Sequence, residues 1–366
     1  MIPIFRPSMG DEEVNAIAEV IKSGWIGLGP KTAEFEKNFA NYLNVDHVVG
    51  VNSCTSALDL AVRLLNIKKH DEVIVPTMTF VSTGHAVAYN DAIPIFADID
   101  PETLCIDIED VKRKISSRTK AIIVVHFGGR AVDIDKLKEI SGDIPIIEDC
   151  AHAAGAEYKG KKCGTLGALG CFSFHAVKNI AMGDGGAISI NDPELAKRAY
   201  KLRWLGIDKG TWDRTGLDRS YWWEYQVDEI GLKCHMHDIA AAMGIVQLKK
   251  LDSMNQKRKK IVKRYIELLQ ADRQLVLPVY DDDSSWHLFF IKHGDRNGLS
   301  VYLKDNGIST GGHYKPIHMY PCYGNRPYLP VSEKVFKNIL TLPLYPDLPI
   351  ETVEQIANLI KDYDKN

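Results

Sequence analysis

No two of the seven cysteines (Cys54, Cys105, Cys150, Cys163, Cys171, Cys234 and Cys322) form a CxxC pair, and their number is odd. That spacing fits neither a disulfide framework nor a zinc knuckle, and it reads as reduced thiols, most of them small buried hydrophobes. An excess of charge is missing too. The 45 Lys and Arg face 48 Asp and Glu for a formal net charge of −3, without a basic stripe to neutralise a phosphate backbone, so nucleic acid is not expected as a partner. Nor does any apolar run approach the ~18 uninterrupted residues that a membrane span needs. The start, MIPIFRPSMGDEEV, lacks the charged and then apolar segments of an export signal. A cytoplasmic protein without membrane contact is expected. Repeats and low-complexity tracts are absent as well.

What remains is a chain of 366 residues, 45% of them hydrophobic, enough for one large or two ordinary domains. Apolar residues recur at helical spacing from Asp11 to Lys22, and Ser23-Gly24 stops them. A second amphipathic helix carries Phe35, Phe39 and Tyr42. From there the pattern alternates. Strands are expected at His47 to Val51, Glu72 to Val75, Ile93 to Ala97, Ala121 to Val125 and Ile144 to Glu148. Helices are expected at Ala57 to Leu65, Thr79 to Tyr89, Ile108 to Ile115 and Asp133 to Ile140. Such alternation means an α/β fold with a mostly parallel sheet covered by helices. Ligands in such sheets lie beyond the carboxyl ends of the strands.

An aromatic, charged run (Trp204, Trp212, Tyr221, Trp222, Trp223, Tyr225) then breaks the rhythm and reads as an ordered interface or lid. A long helical pattern covers His237 to Leu269. A strand from Trp286 to Lys292 and helices near Val301 and Val353 read as a smaller α+β part. The expected division is a large domain over 1–235 and a smaller one over 236–366.

Three polar segments that follow strands carry candidate chemistry. The first, Asn52-Ser53-Cys54-Thr55-Ser56, opens a helix whose unpaired N–H groups favour an anion such as phosphate, although plain capping uses the same residue types. In the second, an apolar strand runs into Glu148 and Asp149 and then His152; a carboxylate there can hold a ring nitrogen protonated, or cap the next helix. In the third, Cys171-Phe172-Ser173-Phe174-His175-Ala176-Val177-Lys178-Asn179, Lys178 follows an alternating strand and precedes the turn Gly183-Asp184-Gly185-Gly186. A solvated lysine fits that setting poorly.

The stretches PTMTFVST, EDCAHAAG, FSFHAVKNIAMGDGGAI and HDIAAAMGIVQL, in this order, resemble the DegT/DnrJ/EryC1/StrS sugar aminotransferases, pyridoxal-phosphate enzymes of fold type I, the aspartate aminotransferase-like fold. The likeness runs from about Pro7 to Pro346 and takes in SGWIGLGP, WHLF, GGHYKPIH and LPLYPDL. It implies that Lys178 forms the Schiff base with the cofactor, that Asp149 pairs with the ring nitrogen and that His152 lies near the ring hydroxyl. It further implies that Phe80 stacks on the ring and that Ser53, Cys54, Thr55 and Ser173 hold the phosphate. Many members carry Gly-Tyr-Asn-Tyr-Arg-Met before the long helix and reach the partner subunit's phosphate from it. Here the segment is Gly231-Leu232-Lys233-Cys234-His235-Met236, so Lys233, with His235 beside it, takes that place.

The same likeness implies a homodimer with shared active sites. The substrate it implies is a nucleotide-linked keto-deoxysugar aminated from L-glutamate, as in lipopolysaccharide or O-antigen biosynthesis. Candidate substrate contacts are Lys31 after SGWIGLGP, and His313, Tyr314, Lys315 and His318. Gly27 and Leu28 stand where many members carry hydroxyl residues, which bears on the choice of sugar. Trp286 and His287 read as core. Transamination of a small keto-phosphate or a cyclitol ketone needs the same cofactor site. A sugar dehydratase would carry histidine in place of Lys178, and a non-catalytic regulator would not need the lysine.

Overall fold

Apolar strand runs with both faces buried organise the chain. In the computed structural model, which describes residues 1–208, 225–324 and 327–365, two helices come first, α1 (Asp11–Ser23) and α2 (Pro30–Leu43). Alternation follows: β1 (His47–Val51), α3 (Cys54–Leu64), β2 (Glu72–Pro76), α4 (Val81–Ala88), β3 (Ile93–Ala97), α5 (Ile108–Lys114), β4 (Thr119–Val125), α6 (Ile134–Ser141) and β5 (Ile146–Asp149). A small hairpin, β6 (Glu157–Tyr158) and β7 (Lys161–Lys162), precedes β8 (Leu169–Ser173) and β9 (Gly186–Ile190). Then come α7 (Pro193–Leu202), α8 (Asp238–Leu269), β10 (Leu275–Val276), β11 (Phe289–His293), α9 (Arg296–Asp305), α10 (Pro330–Asn338), β12 (Ile339–Leu342) and α11 (Ile350–Lys365).

The large sheet has the order β1-β9-β8-β5-β4-β2-β3. Pairings from β8 through β5, β4 and β2 to β3 are parallel, whereas β9 runs antiparallel to both β8 and β1. The period-2 alternation of a strand sends Val73, Val75, Ala121 and Ile123 to one face, where α3 and α4 pack through Leu58, Ala61 and Val87. Ile74, Ile122 and Val124 face the other side, against Val111 of α5 and Leu137 of α6. Each such Val, Ile or Leu removed from water contributes roughly 1.5–3 kcal/mol, which explains why these runs carry so few polar residues.

A second sheet, β10-β11-β12, is antiparallel and has its own core with α9 and α11. The long α8 joins the two parts. Its first half (Ala240, Ala241, Ile245) packs with Phe35, Phe39, Phe172 and Phe174, and its second half (Ile261, Tyr265, Leu269) enters the core of the small sheet. Asp238, in its first turn, accepts the Lys31 and Thr32 N–H groups of α2 at 3.0 and 2.9 Å. The N-terminal strip reaches the small part too, where Ile2 bridges Ile308.

Several element ends shift by a few residues from the sequence expectation, and two of the shifts have a local cause. α3 begins at Cys54 rather than Ala57, because the Ser53 hydroxyl caps it by accepting the Ser56 N–H. The strand expected over 286–292 begins only at Phe289: Trp286 has a φ of 47°, in the left-handed region, which interrupts extended backbone. Six cysteines are buried and free, and Cys322 is exposed. Among the described residues no helix is long and apolar enough to cross a membrane. Trp204 and Tyr225 bound the aromatic run; Trp212, Tyr221, Trp222 and Trp223, with the interface or lid expected of them, lie outside the described residues.

Candidate active site

The carboxyl ends of β1, β2, β4, β5 and β8 open on one side of the large sheet, and the polar residues after them line a cavity of about 360 Å³. Ser53, Cys54 and Thr55 come from the start of α3, Thr79, Phe80 and Ser82 from the segment after β2, and Asp149 and His152 from β5 and the turn beyond it. Ser173 and Lys178 follow from β8, and His313 and Tyr314 arrive from the smaller part of the chain.

Lys178 is half-buried on a turn closed by its own N–H, which donates to the His175 carbonyl at 2.9 Å. Its Nζ has no hydrogen-bond partner among the described residues. Burial pushes its ammonium down to about 8, against the opposing pull of the Asp149 charge. An amine so placed is a nucleophile and base close to neutral pH.

Asp149 is 4% exposed. Burial raises its carboxyl above the usual range, and the Ala151 N–H, the Thr83 hydroxyl and the charge of Lys178 work against that rise. Glu148, its neighbour, points elsewhere: it accepts from the Gly164, Leu166 and Gly167 N–H groups and from His126. Burial alone would raise Glu148, and these donors hold it below the usual range instead. His126, Glu148 and Cys150 lie within 4.8 Å of one another. Yet His126 Nδ1 already accepts the Val132 N–H and its Nε2 bonds Glu148, so the cluster is a structural knot.

His152 lies over the other flank of the cavity. Its Nδ1 accepts the Gly128 N–H at 3.3 Å and its Nε2 lies 3.1 Å from the Tyr314 hydroxyl. Burial pushes its imidazole well below the ordinary value, so the ring is neutral. A backbone N–H only donates, so the proton sits on Nε2 and points at Tyr314. His287 stacks on Phe5 at 5.3 Å and meets His152 at a tilt, with ring centres 4.5 Å apart, in the core as the sequence suggests. Phe80 lines the cavity, 58% exposed and edge-on to Tyr314.

Whether these residues suit a phosphorylated pyridine aldehyde can be tested on the start of α3. Helix geometry leaves the N–H groups of Cys54 and Thr55 without an acceptor in their own helix. The Thr55 hydroxyl bonds that of Ser82 at 2.7 Å, and Ser173 is close by on β8. Gly186 at the start of β9 comes so near that a Cβ there would stand 2.4 Å from the Ser53 carbonyl carbon and 2.6 Å from the Cys54 nitrogen. A phosphate cradle at α3, a free amine and a buried carboxylate in one cavity fit the group.

Other sequence candidates stand apart from this cavity. Lys31 pairs with Glu34 at 2.9 Å on α2. The Lys233 ammonium lies over the Trp204 ring, which His235 meets edge-on. Lys315 covers the Tyr320 ring at 4.6 Å, and His318 is buried between Thr77 and Glu333. Sequence reasoning missed Thr79 and Thr83, which stand behind Asp149; their i, i+4 spacing within PTMTFVST is the signal that could have found them.

A model of the DegT/DnrJ/EryC1/StrS aminotransferase family matches residues 7–361. The spore coat polysaccharide biosynthesis protein SpsC of Bacillus subtilis (strain 168) is 36% identical over 380 residues, covering 100% of this chain and 97% of its own length. Among solved structures, the aminotransferase TlmJ from Streptoalloteichus hindustanus superposes with a TM-score of 0.93 at 36% identity, covering 99% of this chain and 98% of its own. Spr1654 from Streptococcus pneumoniae superposes in its PMP-form with a TM-score of 0.92 and in its PLP-form with 0.90, at 31% identity and with the same coverage of both chains.

Proposed function

This chain belongs to the DegT/DnrJ/EryC1/StrS aminotransferase family and is a pyridoxal-phosphate-dependent sugar aminotransferase; from that premise we propose that it moves an amino group from L-glutamate to the keto carbon of a nucleotide-linked keto-deoxysugar. The observation that carries this reading is Lys178, an unpartnered amine lowered to about 8 by burial in the same cavity as Asp149 and the open start of α3. Pyridoxal phosphate, when bound, supplies an aldehyde that condenses with amines and a ring that takes up the electron pair left by proton removal.

The chain's own residues supply the rest. Lys178 Nζ would act first as nucleophile and then as base, carrying a proton between the substrate carbon and the carbon of the cofactor that bears the aldehyde. Asp149 holds a proton on the ring nitrogen. The Cys54 and Thr55 N–H groups, with the hydroxyls of Ser53, Thr55 and Ser173, bind the phosphate. Phe80 covers the flat face of the ring and keeps water from it. His152 serves the ring hydroxyl, and His313 and Tyr314 serve the substrate.

In this reading residues 1–235 form the cofactor-binding domain and residues 236–366 a smaller domain facing the substrate. A homodimer would bring Lys233 of one copy toward the phosphate in the other. Lys31, Lys315 and His318 are assigned to the substrate only on the resemblance of their segments.

The test is to load the pyridoxamine form and offer nucleotide keto-sugars beside small keto-phosphates and cyclitol ketones, following visible absorbance. Return of the band with nucleotide keto-sugars, and its reversal by L-glutamate, is expected. A response confined to the small ketones would overturn the proposed substrate.

A further inference from the structure

Asp149 has a hydrogen-bond shell that the chemistry above does not use. Its Oδ1 accepts the Ala151 N–H at 3.1 Å and lies 3.9 Å from the Cys54 thiol, while its Oδ2 accepts the Thr83 hydroxyl at 2.9 Å. Thr83 is wholly buried in α4, and its hydroxyl lies 2.8 Å from that of Thr79, itself 3% exposed. An ionised carboxylate only accepts, so the Thr83 hydrogen is committed to Asp149 and Thr79 must donate to Thr83. The donors therefore run one way, from Thr79 through Thr83 to Asp149. A carboxylate offers about four lone-pair positions. Oδ1 meets two donors and Oδ2 one, which leaves the open position on the oxygen that Thr83 holds.

We propose that Thr83, braced by Thr79, is a positioning residue that fixes the rotamer of Asp149 and favours its ionised form, so that the open lone pair meets the protonated ring nitrogen. The proposal rests on the pyridoxal-phosphate reading above. The groups around Asp149 make the Thr83 hydroxyl matter. Burial disfavours the charged carboxylate, whereas Lys178, His126, the Ala151 N–H and Thr83 favour it. Cys54 and Tyr314 also face it, and burial keeps both of them protonated. Among the described residues, Thr83 is the donor that bonds its Oδ2. Thr83 could instead do no more than tie α4 to β5, and that alternative predicts a loss of stability without any change in how Asp149 titrates.

The experiment compares wild type, Thr83→Val, which keeps the branched shape and deletes the donor, and Thr83→Ser, which keeps the donor. In Thr83→Val the rate of the L-glutamate half-reaction should fall by about tenfold to a hundredfold, as expected for a lost hydrogen bond to a charged group, with KM within about threefold. The acid limb of the pH–rate profile should move up by about one unit or more, because the protonated carboxyl is no longer disfavoured by a donor. Dialysis should show the cofactor bound about tenfold more weakly. Thr83→Ser should stay within about threefold of wild type in all three, and Thr79→Val should shift the acid limb in the same direction by a smaller amount.

A Thr83→Val protein with an unmoved acid limb and unchanged cofactor affinity overturns the proposal, as does equal impairment of the Ser and Val variants. If Thr83→Val does not fold, Thr79→Val decides, and an unmoved acid limb there overturns it too. A wild type that takes up no pyridoxal phosphate is a different failure, which removes the functional reading itself.

Discussion

The two walls of the cavity are built differently. On the sheet side, Ser53, Asp149, Ser173 and Lys178 stand at or just after strand ends, and neighbouring backbone N–H groups and hydroxyls fix the acid. On the other side a single loop, 313–318, arrives from the smaller part of the chain. Two of its four candidates, His313 and Tyr314, reach the cavity, whereas Lys315 covers Tyr320 and His318 is buried against Thr77 and Glu333. A strand end points its residues where the sheet dictates. A loop distributes its side chains according to whatever packs against it.

If the sheet wall carries the chemistry and the loop wall only selects the substrate, substitutions should divide accordingly. The largest effect is expected of Lys178→Ala, with amino transfer reduced by about 10⁴-fold or more and the borohydride-sensitive visible band lost. Retained turnover would break the comparison at once. Asp149→Asn should still take up the cofactor, at least as weakly as Thr83→Val does, and should slow proton transfer by about 10²–10³-fold, measured in single turnover; near-normal rates would remove Asp149 from the sheet wall's chemistry.

A pH experiment on the cofactor-free protein sharpens the role of Lys178. Burial holds it at about 8, below the ordinary 10.5, so cofactor uptake should accelerate as pH rises through about 8 and then level off. Between those values the unfolded chain binds more protons than the folded one at this site, so its contribution makes the folded state more stable as pH rises from about 8 to 10.5. Chemical denaturation across that range, with Lys178→Met as the flat control, checks the sign.

On the loop wall the effects should be smaller. Tyr314→Phe removes one hydroxyl held by His152 and should cost about tenfold or less, chiefly in the KM of the sugar. A loss as deep as that of Asp149→Asn would erase the distinction between the walls. Lys31→Ala should be the mildest, within about twofold in turnover, because its surface pair with Glu34 contributes little; a larger loss would bring α2 into the substrate site.

Much of the sheet wall is legible in the amino-acid pattern alone. The strands His47 to Val51 and Ile93 to Ala97 fall where that pattern puts them, because continuous apolar runs bounded by polar turns have few other ways to be buried. Lys178, Asp149 and Ser53 are legible because each lies at or a few residues beyond the end of such a run. Thr83 is not, since a threonine in an apolar helix reads as packing unless its hydroxyl is known to lie 2.9 Å from a carboxylate. His318 and Lys315 look like ligands because their segment resembles the family's, and the packing that claims them comes from Thr77, Glu333 and Tyr320.

The alternation of strand and helix, the family and the residues at the strand ends all follow from the sequence, since these depend on patterns local to a few residues. Tertiary structure decided what holds each of the two adjacent acids: Glu148 turns to the Gly164 loop and Asp149 to Thr83. It also decided which loop residues reach the cavity and which proton His152 keeps. Most of those outcomes depend on groups tens to hundreds of residues away, whose positions exist only once the chain has folded.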